Sequence, residues 1–285
     1  MAAGTEAGAA RAGHVRVGPF TVNRLGFGAM RLTGPGILGD PERVDDARAV
    51  LRRAVELGVD LIDTAHSYGP EVNERLIGET LRPYPAGLVI ATKSGLARSE
   101  RGGWYADGRP EVLKRECERS LELLGLEAIP LFQLHTVDRD VPYEESVGAL
   151  VDLQREGKVV AIGVSNVDAS QLRRAMAVAD VASVQIRLPA GEDRQDEVLA
   201  ICEAEGIPFL PWFPLGAGRL ARGAGDGGPG TPAQRAIAWL LRRSPVMLPI
   251  PGTSSVAHLE ENVAAAEIRL SDDEFETLSN AGSAG

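Results

Sequence analysis

Val59-Asp60-Leu61-Ile62-Asp63-Thr64-Ala65-His66-Ser67-Tyr68-Gly69-Pro70 reads as a short buried strand handing over to a loop, and a helical pattern over residues 73–81 follows at once. In an α/β protein the residues just past the carboxyl end of a strand face the ligand crevice. Asp63 and Tyr68, an acid and a phenol with a glycine behind the phenol, can share one such mouth. Alone, the stretch fits an Asp helix cap beside a half-buried Tyr equally well. The rest of the chain decides between the two.

The same hand-over recurs throughout. Residues 15–17 and 20–23 flank Gly18-Pro19 as a β-hairpin, and strand and helix patterns alternate after it. Strand candidates at 25–28, 59–62, 88–92, 129–134, 159–164, 184–186, 209–212 and 246–250 are each followed by a helix, and a short helix at 272–278 closes the series. Alternation of this kind gives parallel strands with right-handed crossovers. The sequence therefore predicts an α/β fold, a (β/α)8 TIM barrel in one domain over residues 14–285, with an N-terminal hairpin and a short C-terminal helix. An open doubly wound sheet is the rival, but Gly26-Phe27-Gly28-Ala29-Met30-Arg31 lacks the third glycine of a dinucleotide fingerprint and opens no helix. Two connections exceed ordinary βα loops: residues 94–108, with Trp104 and Tyr105, and the glycine-rich 216–230. Both follow strands, so both read as active-site lids or insertions.

Composition narrows the function. The 285 residues are 44% hydrophobic, with 30 basic against 40 acidic side chains and a formal charge of −10, which disfavours nucleic acid and anionic membrane surfaces as partners. Cys117 and Cys202 fall in helical patterns and suggest no disulfide framework, hence a cytoplasmic protein. No apolar run has the length of a bilayer span. Residues 1–13, rich in Ala and Gly, read as a disordered tail without the apolar core of a signal peptide.

Lys93 ends the third strand candidate and His135 follows the fourth, so both point at the mouth that holds Asp63 and Tyr68. Their chemistry is complementary. A phenol is a poor acid near neutrality, and a buried ammonium beside it is expected to lower its pKa. A carboxylate would hold that ammonium, and a histidine could donate to a carbonyl oxygen. Such a set protonates a developing alkoxide, yet it contains neither nucleophile nor metal cage. The missing reactant is a hydride, and hydrides come from cofactors.

The chain resembles the aldo-keto reductase family over residues 14–280, a bacterial pyridoxal-reductase-like branch in particular. The motifs are Asp63-Thr-Ala-x-x-Tyr68-Gly, Ala91-Thr-Lys93, Leu131-x-Gln133-Leu-His135, Gly163-Val-Ser-Asn166, Val184-Gln185, Pro214-Leu-Gly-x-Gly218 and Ile250-Pro-Gly-Thr-Ser, with His258-Leu-Glu-Glu-Asn262. The resemblance implies a catalytic tetrad of Asp63, Tyr68, Lys93 and His135, with Tyr68 as general acid, and NADPH/NADP extended across the barrel mouth. It assigns Ser165, Asn166 and Gln185 to the carboxamide, Trp212 to stacking on the nicotinamide, and Phe213, Pro214, Leu215, Gly216 and Gly218 to the loop over the pyrophosphate. Gly28, Ala29, Met30 and Asp63 would lie beneath the cofactor, Thr253 and Ser254 against a phosphate, and Glu261 and Asn262 against adenine. Tyr68, His135, Trp104 and Tyr105 would line the pocket of a small-molecule carbonyl substrate.

Two departures bear on function. Gly252 and His258 stand where strongly NADP-preferring members carry Lys and Arg, which implies looser discrimination against NADH. The long C-terminal substrate loop of many relatives has no counterpart before Gly285, so an open pocket is expected. The rival reading is an NADP(H)-binding regulatory module like potassium-channel β subunits, with binding but no turnover.

Overall fold

The computed structural model describes residues 8–99, 102–188, 196–212 and 228–283. A hairpin of β1 (His14–Val17) and β2 (Phe20–Asn23) opens the fold as expected, paired antiparallel from His14↔Asn23 to Val17↔Phe20. Among the described residues, seven strands then form one parallel sheet: β3 (Phe27–Gly28), β4 (Leu61–Asp63), β5 (Val89–Ser94), β8 (Ile129–Leu134), β9 (Val159–Ser165), β10 (Val181–Arg187) and β11 (Phe209–Trp212). Each pairs with its neighbour in chain order, from β3–β4 to β10–β11.

Helices α1 (Val44–Glu56), α2 (Val72–Leu81), α3 (Pro110–Leu124), α4 (Tyr143–Arg155), α5 (Ala169–Met176), α6 (Asp196–Glu205), α7 (Pro232–Arg243) and α8 (Val256–Ala264) wrap the sheet, and α9 (Asp272–Ser283) packs behind. The ring of (β/α)8 units is the predicted fold. α9 is held by Phe275 stacked on the buried Trp239 at 5.7 Å between centroids, with Trp239 Nε1 donating to Ser279 Oγ at 2.9 Å.

The eighth strand departs from expectation. Residues 246–250 fill the gap between β11 and β3 without forming a regular strand. Phe209 N donates to Val246 O and Leu248 N to Phe209 O, both at 2.9 Å, while Gly26 N donates to Pro249 O at 3.0 Å. Pro245, Pro249 and Pro251 have no N–H to give, so the ladder cannot continue.

Inward-facing residues are apolar at the amino ends of the strands. Leu61, Val89, Ala91, Leu131, Ala161, Leu210 and Leu248 cluster there with Val17 and Val22, so the hairpin plugs the barrel floor. Residues 8–12 are not the disordered tail that composition suggested. They form a 3-10 turn with Ala9 fully buried and its N–H on Leu57 O at 3.0 Å. Within the connection 94–108, the described residues carry an antiparallel pair of β6 (Leu96–Arg98) and β7 (Trp104–Ala106). Of the glycine-rich stretch, residues 216–227 lie outside the described residues.

Candidate active site

Two residues along a strand is one step up the same face. Leu61 is followed by Asp63, Ala91 by Lys93, Leu131 by Gln133 and then His135, and Ser183 by Gln185. The barrel interior thus changes from hydrocarbon to amides and hydroxyls, and then to charge, as it approaches the carboxyl ends of the strands.

The four tetrad candidates converge. Lys93, fully buried, donates from Nζ to Asp63 Oδ2 and to Thr64 O, both at 2.7 Å. The same Nζ lies 5.2 Å from the centroid of the Tyr68 ring. Tyr68 meets His135 edge-on, with centroids 5.8 Å apart and an interplanar angle of 81°. Asp63, Tyr68 and His135 are all buried.

Burial lowers the Lys93 pKa, but the Asp63 carboxylate and the Tyr68 phenol more than offset it, and the ammonium is held charged. Tyr68 corrects the expectation from sequence. Burial raises its pKa, Lys93 lowers it as expected and the Asp63 charge raises it again, so the net direction is upward and the phenol keeps its proton at neutral pH. His135 is driven well below the usual imidazole value by burial and then by the Lys93 charge, so it is neutral. Its Nδ1 is buried with no hydrogen-bond partner among the described residues. An unpaired lone pair costs less than an unpaired N–H, which puts the proton on Nε2 and makes that nitrogen the donor.

A supporting shell went unread in the sequence. Asp63 Oδ1 accepts from Gln185 Nε2 at 2.8 Å and from Gln133 Nε2 at 3.3 Å, and Ser183 Oγ donates to Gln133 Oε1 at 3.3 Å. Gly163 makes the room: a Cβ there would stand 2.2 Å from Ser183 Oγ and 2.8 Å from Gln133 Cγ. At the start of α2, buried Asn73 accepts from Thr64 Oγ1 at 2.9 Å and donates to Ala29 O at 2.7 Å. Beside it, fully buried Glu74 accepts from Thr92 Oγ1 at 2.6 Å and meets His66 Nδ1 at 3.1 Å. These two adjacent side chains pin the Asp63–Tyr68 loop at Thr64 and His66.

Among the proposed cofactor residues, Ser165 and Gln185 are buried at the ends of β9 and β10, and Asn166 follows with a left-handed φ of 56°. Asn166 Nδ2 donates to His135 O at 2.9 Å while its Oδ1 accepts from Trp212 Nε1 at 3.1 Å, which fixes the half-buried indole at the rim. Gly28 and Gly252 bring β3 against the segment before α8; a Cβ on Gly252 would stand 2.5 Å from Gly28 O. Ala29 and Thr253 are buried, Asn262 is buried on α8, and Ser254 and His258 are exposed. Met30 and Ser254 share a cavity of about 580 Å³ with Arg31 and Arg43. Glu261 accepts from Thr231 Oγ1 at the cap of α7. Phe213, Pro214, Leu215, Gly216 and Gly218 lie outside the described residues. Trp104 and Tyr105 stand on β7, 42% and 50% exposed.

Known proteins bear on this arrangement. The model of the Aldo/keto reductase family matches residues 24–231 and 223–282. An uncharacterized oxidoreductase of Schizosaccharomyces pombe is 43% identical, over 99% of this chain and 94% of its own length. Pyridoxine 4-dehydrogenase of Escherichia coli is 40% identical over 92% of this chain and 96% of its own. The structure is similar to an aldo/keto reductase from Klebsiella pneumoniae in complex with NADP and acetate, with a TM-score of 0.78, 27% identity and 93% of each chain covered.

Proposed function

The chain belongs to the aldo/keto reductase family, which makes it an NAD(P)H-dependent oxidoreductase, and from that premise we propose that it reduces an aldehyde to an alcohol with NADPH, Tyr68 serving as the general acid. The observation that carries this reading is the buried Lys93–Asp63 pair at 2.7 Å, with its ammonium beneath the Tyr68 ring and neutral His135 at that ring's edge.

The mouth fits a nicotinamide cofactor. Gln185 spends its amide N–H on Asp63 and keeps Oε1 as an acceptor for a carboxamide, while Trp212 offers an aromatic face whose angle Asn166 fixes. Ser165, Gln185 and Trp212 would hold the ring, and Thr253, Ser254 and Asn262 the adenosine end. When bound, the reduced nicotinamide supplies the hydride.

The protein's own part is the proton and the field around it. His135 Nε2 donates to the carbonyl oxygen and fixes its direction. Tyr68, protonated before the reaction, passes its phenolic proton to that oxygen as negative charge develops. Lys93 then stabilises the phenolate, and Asp63, held by two glutamine amides, keeps Lys93 charged and in place. Burial of all four groups excludes the water that would screen them.

Pyridoxal is the substrate proposed first, supported by the 40% identity to a protein named for pyridoxine oxidation. NADPH is preferred, with NADH admitted because Gly252 and His258 stand where a Lys and an Arg would grip a 2′-phosphate. A cytoplasmic setting accords with Cys117 and Cys202 being buried and unpaired. Cofactor oxidation measured over a panel of aromatic, sugar and pyridoxal aldehydes tests the reading. Turnover with NADPH, pyridoxal among the better substrates, is expected; tight NADPH binding with no turnover on any aldehyde refutes it.

A further inference from the structure

Most arginines on the outer helices sit in ion pairs, Arg48 with Glu79, Arg53 with Glu260 and Arg174 with Glu144 among them. Arg98 differs. It lies at the end of β6, five residues past Lys93, and forms no ion pair among the described residues. Its guanidinium lies over the Trp104 ring, with Cζ 4.0 Å from the centroid, and one terminal N–H donates to Gly36 O at 2.7 Å. Its Nε is buried with no hydrogen-bond partner among the described residues.

The contact with Gly36 ties this arginine to the catalytic rim. The loop that carries Gly36 is bridged to the residue behind the proposed acid: Leu38 pairs with Gly69, and Gly39 N donates to Gly69 O at 2.9 Å. Leu38, Trp104 and Tyr105 are exposed on this rim, at 40%, 42% and 50%. An apolar shelf thus lies beside a cation that no carboxylate among the described residues neutralises. Guanidinium is also the side chain best matched to planar or tetrahedral oxyanions.

We propose that the preferred carbonyl substrates bear an anionic group, a carboxylate or a phosphate, and so rank above pyridoxal itself, and that Arg98 binds that group while Trp104 and Tyr105 cover the substrate's body. This deepens the reductase reading and rests on it. Trp104 holds the guanidinium plane from one side, so the anion approaches its remaining N–H edge. The carbonyl then projects toward Tyr68 and His135.

Matched substrates test it: 4-formylbenzoate against its methyl ester for a carboxylate, and pyridoxal 5′-phosphate against pyridoxal for a phosphate. The readout is the ratio of kcat/KM within each pair, which does not depend on how much of a preparation is active. About a tenfold or greater preference for at least one anion is expected at low ionic strength, carried mainly by KM and shrinking as salt is added. The pair that shows it identifies the oxyanion. Arg98→Gln should bring that ratio near one, and Arg98→Lys should keep part of it. Ratios near one in the wild-type protein, or a ratio unmoved by Arg98→Gln, overturn the proposal while leaving the reductase reading intact. Loss of turnover for every aldehyde, neutral or charged, overturns both.

Discussion

Replacing Lys93 with Met keeps the side chain's length and removes its charge. Asp63 Oδ2 and Thr64 O then lose their shared donor, while Asp63 Oδ1 keeps the amides of Gln185 and Gln133. Breaking a buried pair from one side costs about 3–5 kcal/mol, because the surviving charge is left uncompensated. A stranded carboxylate can escape by taking a proton, and that sets a ceiling. Protonating an ordinary carboxyl costs about 1.36 × (7 − 3.9), or ~4 kcal/mol, at pH 7, and only ~1.5 kcal/mol at pH 5. Lys93→Met should therefore lose about 3–4 kcal/mol of stability at pH 7 and no more than about half of that at pH 5.

Adding Asp63→Asn removes the stranded charge. The double variant should recover about 2 kcal/mol at pH 7 and show little of the single variant's pH dependence. Urea unfolding at the two pH values reads both effects. Turnover should stay abolished in single and double variants alike, since neither has an ammonium to stabilise the phenolate. A loss equal at both pH values, or a double variant no more stable than the single, would refute the buried-pair argument.

The His66–Glu74 contact gives a pH signature of the opposite sign. Burial lowers the His66 pKa, but the hydrogen bond and charge of Glu74, with Glu116 and Glu71 behind, raise it overall. Its contribution to stability is therefore full below the ordinary imidazole value and is lost as pH rises through the higher folded value. Each unit of upward shift is worth about 1.4 kcal/mol, and denaturant titrations from mildly acidic to alkaline pH should show this decline flattened by Glu74→Gln. At the rim, Trp212→Ala removes a stacking face and the indole bond to Asn166, together about 1.5–2.5 kcal/mol, so fluorescence titration should find NADPH bound at least about tenfold more weakly. Trp212→Phe keeps the face and should lose only about fivefold.

The fold was legible because parallel strands buried on both faces read as unbroken apolar runs between helical patterns. Proline obscured the eighth: residues 246–250 have a strand's hydropathy, yet Pro249 accepts from Gly26 N with no N–H of its own to donate. Composition misled at residues 8–12, where small alanines that resemble a disordered tail are what fits against Leu57. The tetrad could be read because Asp, Lys and His at successive strand ends are unusual. The amide layer beneath it could not, since a Gln or Ser on a strand looks the same whether buried or solvated. One signal was available: Gln133 is two residues before His135, and Ser183 two before Gln185, so each shares a face with a site residue. The net direction of the Tyr68 pKa was beyond sequence altogether, because it depends on how deeply the ring is buried and on how near Lys93 and Asp63 lie.

The central claim is that a protonated phenol at position 68 delivers H⁺ to the substrate oxygen. Tyr68→Phe keeps the ring against His135 and deletes only the hydroxyl, so NADPH should bind with nearly unchanged affinity while single-turnover reduction of a good aldehyde falls by at least about a thousandfold. Reduction persisting within about tenfold of the wild-type rate, with cofactor affinity intact, would contradict it.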